Sequence, residues 1–321
     1  MTMQVIVDAA GGQVGGAARY RAELLGYLAR TGRRDVRVLR PDRQITPGWL
    51  VRRELTGSGG GRLVSVNNVG FIRPGGERWT LLASPLDFLT DDEWANLHPA
   101  LRRETRYRAP IVHLAARRSD VVIAPCTGMA ERIARTLPSL RTRLTVRLHP
   151  ISADSVPRQP RDPVILCPVL FAAYKHMVPR LRELVAALDA YGDPAVQVLV
   201  TAVRAEVPGD LAAHPRIRLV GHLQHAVLVE LWARSRAVFF PSAIESFGYP
   251  LAEARVNGQP VIAVDTAQNA EIAGPALRGF RIGDADSLGR AVELALTKDV
   301  EPDPEPFDPG AYFDWLLGPG R

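Results

Sequence analysis

Glu245-Ser-Phe-Gly-Tyr-Pro-Leu-Ala-Glu253 holds two carboxylates that enclose seven residues, and it lies between an unbroken apolar run and a short helical pattern. Arg236-Ala-Val-Phe-Phe240 is apolar without alternation, as expected of a strand buried on both faces of a parallel sheet. Pro250 suits the first helical position, where its missing N–H costs nothing, and Gly258 suits the end of a helix over Leu251 to Asn257. Pro260-Val-Ile-Ala-Val-Asp265 then supplies a second buried strand and completes a βαβ unit. Free N–H groups around Phe247, Gly248 and Tyr249 would form an anion site at the helix N-terminus, suited to a diphosphate. Glu245 falls in the loop and Glu253 about one turn into the helix, where carboxylates can accept hydrogen bonds from hydroxyl groups.

The flanking sequence extends the pattern. Phe240-Pro-Ser242, the two glutamates with Ser246, Phe247, Gly248 and Tyr249 between them, and Asn257-Gly-Gln-Pro-Val-Ile262 resemble the donor-site signature of retaining GT-B glycosyltransferases, specifically glycosyltransferase family 4. Ile217-Arg-Leu-Val-Gly221-His-Leu223, the helical stretch Leu228 to Arg236, and Asn269-Ala-Glu271-Ile-Ala-Gly274 are similar to the segments on either side. The likeness covers about Val164 to Leu296, while the N-terminal half matches in pattern only. It implies an α/β chain of two Rossmann-like domains whose parallel sheets face each other across a cleft. The implied reaction is metal-independent transfer of a sugar from a nucleoside diphosphate sugar to an acceptor hydroxyl, with retention and no cofactor. Glu245 would bind the sugar, Glu253 the ribose, and Lys175 the diphosphate. Where the family often carries an arginine five residues before that lysine, this chain has Leu170, and Arg204 is the candidate replacement. A non-catalytic sugar-nucleotide-binding protein and a sugar-nucleotide epimerase are the alternatives on the same fold.

Toward the N-terminus, Gln4-Val-Ile-Val-Asp8, the loop Gly11 to Gly16 and the amphipathic stretch Ala17 to Arg30 read as a strand, a glycine turn and a helix. The spacing is not the dinucleotide fingerprint. By the resemblance, Gly15 and Gly16 would approach the donor. Further strands are expected at 35–39, 62–66, 79–83, 120–124 and 144–148, with helices over 97–118 and 128–136, an alternation that means parallel sheets covered on both faces. Residues 1–150 form the expected acceptor-side domain, the proline-rich stretch 151–163 a linker, 164–300 the donor-binding domain, and 301–321 a tail returning to the first domain. Phe313, Trp315, Leu316 and Leu317 are too apolar to remain undocked.

At 321 residues and 46% hydrophobic content the chain can fill two cores. A net charge of +6 with only 7% aromatic residues and no nucleic-acid motif argues against a nucleic-acid partner. No apolar run of 18 residues and no signal-like start are present, so cytoplasmic residence is expected. The basic segment Arg102 to Arg108, leading to Arg117-Arg118, is read as a solvated face in preference to a lipid-binding one, with Ile111, Val112, Leu114 and Ala115 packed on a sheet. Cys126 and Cys167 lie at the ends of apolar runs and read as buried free thiols. Asp284-Ala-Asp286 has the spelling of a metal-binding motif, but Asp286 is read as the cap of a helix from Ser287. Ser84 and Asp87 stand near the place where related chains carry a histidine; Asp87 is read as a loop cap, and His98, His113 and His149 as surface or core-edge residues. Only Lys175 and Lys298 are lysine among 40 basic residues.

Overall fold

The computed structural model describes residues 4–12, 15–40, 42–56, 61–73, 75–153, 161–168, 175–242 and 244–318. The chain divides into two compact units, one of Met1–Ser152 with Phe307–Arg321 and one of Ala153–Pro306. Residues 154–160 of the expected linker lie outside the described residues, and the first strand of the second unit opens at Asp162, two residues earlier than the sequence suggested.

In the first unit, β1 (Val5–Asp8), α1 (Gly15–Thr31), β2 (Val36–Leu39), α2 (Pro47–Arg53), β3 (Gly61–Ser65) and β4 (Gly76–Leu81) lead to α3 (Asp91–Ala95) and α4 (Pro99–Arg118). β5 (Val121–Ala124), α5 (Thr127–Thr136) and β6 (Leu144–Val146) follow. Every strand pairing is parallel, in the order β2-β1-β3-β4-β5-β6. The helix expected over 97–118 starts at Pro99, because His98 Nδ1 accepts the Ala100 N–H and acts as N-cap. Val112 and Ala115 turn inward as anticipated, whereas Ile111 and Leu114 are each 46% exposed. His149 is buried against the Tyr20 ring, contrary to its reading as a surface or core-edge residue. The second helix, α2, was not legible in advance; Thr46 caps it by accepting the Trp49 N–H, and Pro47 takes the permissive first turn.

In the second unit, β7 (Asp162–Cys167), α6 (Met177–Tyr191), β8 (Gln197–Val200), α7 (Gly209–Ala212) and β9 (Ile217–Leu219) precede α8 (His225–Arg234) and β10 (Ser235–Phe240). The unit continues through α9 (Tyr249–Val256), β11 (Val261–Val264), α10 (Ala267–Ala273), β12 (Leu277–Phe280) and α11 (Ala285–Thr297). This sheet is also wholly parallel, ordered β12-β11-β10-β7-β8-β9. Its centre is dry: Ile165, Leu166, Val238, Phe239, Ile262 and Ala263 have no exposed surface. The chain winds outward from β7 to β9, returns to the other side of β7 with β10, and winds out again. The order reverses between β7 and β10, and it is outside the carboxyl ends of the strands at such a reversal that open parallel sheets bind ligands.

The last helix, α12 (Pro309–Leu317), packs on α1, with Phe313 fully buried against Tyr20 and Tyr27 and the Tyr27 hydroxyl donating to Asp314. Arg33 ties its end down, donating to Asp35 and to the Gly318 carbonyl. Among the described residues, no helix is long and apolar enough to cross a membrane.

Candidate active site

The turn between β10 and α9 has one required glycine. Gly248, the N-cap of α9, has φ +83°, and a Cβ there would lie 3.0 Å from Leu251 Cδ1 and 3.1 Å from Phe240 Cε1. Only a residue without a side chain takes this left-handed conformation so close to the strand end. Pro250 occupies the second helical position, one later than expected, and Asn257 with Gly258 (φ +60°) closes the helix. Phe247 is buried and meets the Tyr249 ring edge-on at 5.3 Å, which anchors the turn in the core.

Glu245 hangs in that loop. Its Oε1 accepts a hydrogen bond from Lys175 Nζ at 2.5 Å, with the two side chains only 16% and 13% exposed. Gln268, on α10, donates to the Glu245 backbone carbonyl at 3.0 Å and steadies the loop from the other side. The Lys175 ammonium also stands 6.0 Å from the centre of the Phe240 ring, within reach of a cation–π attraction. Lys175 follows β7 and Glu245 follows β10, so the pair spans the reversal of the sheet. Sequence reading assigned the two residues to separate parts of one ligand; the structure brings them into direct contact. An ammonium carries three N–H donors and can hold a carboxylate and a second oxygen ligand together. Glu253 is half-buried on α9, and Ser246 lies between Glu245 and the buried Phe247.

Leu170 is outside the described residues. Arg204 sits on a short exposed turn after β8 and donates to the Ala212 carbonyl at 3.2 Å. Gly15 and Gly16 open α1 in the first unit, Gly15 with φ +66°. Before them, Gly11 and Gly12 are held through their carbonyls by Arg21 Nη1 at 2.7 and 3.0 Å, and Asp8 accepts the Ala10 N–H. The Asp8 carboxylate is fully buried and is bonded as well by Arg53, Trp49 Nε1 and Asn67 Nδ2. Arg21 and Arg53 escaped the sequence reading because an arginine-rich chain gives no sign of which arginines turn inward.

Asp87 is no loop cap: its side chain is buried, Arg108 Nε donates to Oδ1 at 2.9 Å, and His113 Nε2 meets its backbone carbonyl at 2.7 Å. The cap of α11 is Asp284, which accepts the Ser287 N–H at 2.9 Å, so the helix starts at Ala285 and Asp286 falls in its first turn. That capping and the neighbouring Arg281 guanidinium hold the Asp284 carboxyl below the usual range. No group of three His, Cys, Asp or Glu side chains able to hold a metal ion occurs among the described residues. Both cysteines are buried, and burial pushes the Cys167 thiol well up.

Two parallel Rossmann-like units define the architecture. The fold is GT-B. Solved structures share it along nearly the whole length. The glycosyltransferase WaaG, involved in lipopolysaccharide biosynthesis, aligns over 98% of this chain and 100% of its own, with a TM-score of 0.68 at 15% identity. A sucrose-phosphate synthase from Thermosynechococcus elongatus aligns over 92% and 90%, with a TM-score of 0.64 at 16% identity. An α,α-trehalose-phosphate synthase (UDP-forming) from Burkholderia vietnamiensis aligns over 99% and 96%, with a TM-score of 0.63 at 11% identity. Residues 210–309, which include Glu245 and Glu253, match the sequence family described as glycosyl transferases group 1. No curated protein matches the sequence significantly.

Proposed function

We propose that this protein is a retaining, metal-independent glycosyltransferase of the family 4 kind, moving a sugar from a nucleoside diphosphate sugar to a hydroxyl of a small-molecule or glycan acceptor. The observation that carries this reading is the Lys175–Glu245 contact at the reversal of the second sheet, beside the Gly248 turn and the start of α9. Glu245 binds the sugar near its reacting carbon. Lys175 and the amides around Gly248 face the diphosphate, whose negative charge grows as the sugar departs, so their stabilisation is greatest in the transition state. Glu253 accepts hydrogen bonds from the ribose. The departing phosphate helps to deprotonate the acceptor hydroxyl on the same face of the sugar, which retains the anomeric configuration.

The test is a thermal-shift screen against UDP, GDP, ADP and dTDP sugars, followed by NMR of the anomeric proton during turnover in excess EDTA. Stabilisation by one donor with retained product supports the proposal. Activity that depends on added Mn²⁺, or an inverted product, overturns its mechanism; donor binding without any turnover favours a binding protein, and a changed sugar without acceptor an epimerase.

A further inference from the structure

A groove of about 560 Å³ runs between the edge strand β12 and α11, with β11 separating β12 from β10. Its walls carry four cations, Arg278, Arg281, Arg290 and Lys298, against a single carboxylate, Asp265. Arg281 is partly neutralised by Asp284, and Asp299 is engaged by Arg236 at the neighbouring strand end. Arg290 and Lys298 make no ion pair among the described residues. Arg278 points into its own strand end, donating to the carbonyls of Pro275 and Leu277; burial, and next the nearby Arg236 charge, lower its pKa. Cations therefore outnumber carboxylates among the residues lining the groove.

We propose that this groove binds a multiply phosphorylated small molecule, at a site distinct from the Lys175–Glu245 pair. From Arg290 to the last helical residue, Thr297, the axis advances about 10 Å at 1.5 Å per residue and Lys298 follows it, so the cations are too far apart for one simple anion to meet them all. A chain of phosphates spans them, and guanidinium forks match phosphate oxygens in pairs. Cations on an edge strand also discourage pairing with other chains. That purpose accounts for Arg278 on β12 but not for Arg290 and Lys298, which face it from the helix side of the groove.

Calorimetric titration of the full chain with tripolyphosphate at 150 mM salt, roughly one 8 Å Debye length, tests the site. Lys175→Ala removes the donor-side cation, so binding in this variant is expected to persist. Adding Arg290→Ala and Lys298→Ala, at exposed positions where circular dichroism should report an intact fold, is expected to weaken it at least tenfold. Loss of all binding in Lys175→Ala alone overturns the proposal. So does undiminished binding in the triple variant; if light scattering then shows that variant self-associating, the cations serve only to guard the edge.

Discussion

Glu245 and Lys175 stand 70 residues apart and meet at 2.5 Å. Glu245→Gln keeps the shape and removes the charge, so transfer is expected to fall at least about tenfold, equivalent to roughly 1.4 kcal/mol of transition-state stabilisation, with the fold intact. Lys175→Ala should lower turnover more than acceptor affinity; wild-type rates in both folded variants would remove the pair from catalysis. Glu253→Ala should weaken nucleotide binding by about 1–3 kcal/mol in calorimetry, the range of a charge-assisted hydrogen bond, and unchanged affinity would free Glu253 of that role. His149 gives a stability prediction. Its burial lowers its pKa from 6.5 to about 3, so the folded protein resists a proton that the unfolded chain accepts. The stability this neutral imidazole contributes is whole above pH 6.5 and is lost as pH falls toward 3, by roughly 1.4 kcal/mol per unit. Urea titrations from pH 7 to 4 should show that slope, and His149→Phe should flatten it; an equal slope in the variant would assign the acid loss to other groups.

Elements formed where local chemistry prescribed them. The 235–264 stretch was readable almost residue by residue, because an unbroken apolar run, a proline in the first helical turn and a glycine after the last turn act within a few residues of one another. Errors were small where two local signals competed: Asp284 and Asp286 both suit a helix start, and only the reach of Asp284 Oδ1 to the Ser287 N–H decided between them. The turn before α9 makes a prediction of its own. Gly248→Ala places a Cβ against Phe240 and Leu251 in a left-handed conformation, which should cost about 1–2 kcal/mol or more and lower nucleotide affinity at the same time. Urea midpoints and nucleotide titrations on the variant test both effects; lost stability with unchanged nucleotide affinity would separate the turn from the ligand.

Over the whole molecule, two units with separate sheets and cores imply that a ligand of one need not stabilise the other. Differential scanning calorimetry with the cognate nucleoside diphosphate should raise the transition of the Ala153–Pro306 unit, by about 2.7 kcal/mol at a hundredfold excess over Kd. A shift confined to the other transition would place the nucleotide elsewhere. By itself the sequence determined the alternation of strands and helices, the βαβ unit around the paired glutamates and the apolar tail that must dock, since each follows from periodicity or capping over neighbouring residues. Tertiary structure alone decided that Lys175 touches Glu245, that Arg53 neutralises Asp8 across 45 residues, and that α12 closes on α1 nearly three hundred residues away. Those contacts depend on which strands become neighbours when long loops close. Local spacing does not record that choice, because the entropy of closing a loop rises only slowly with its length and leaves many distant pairings close in cost.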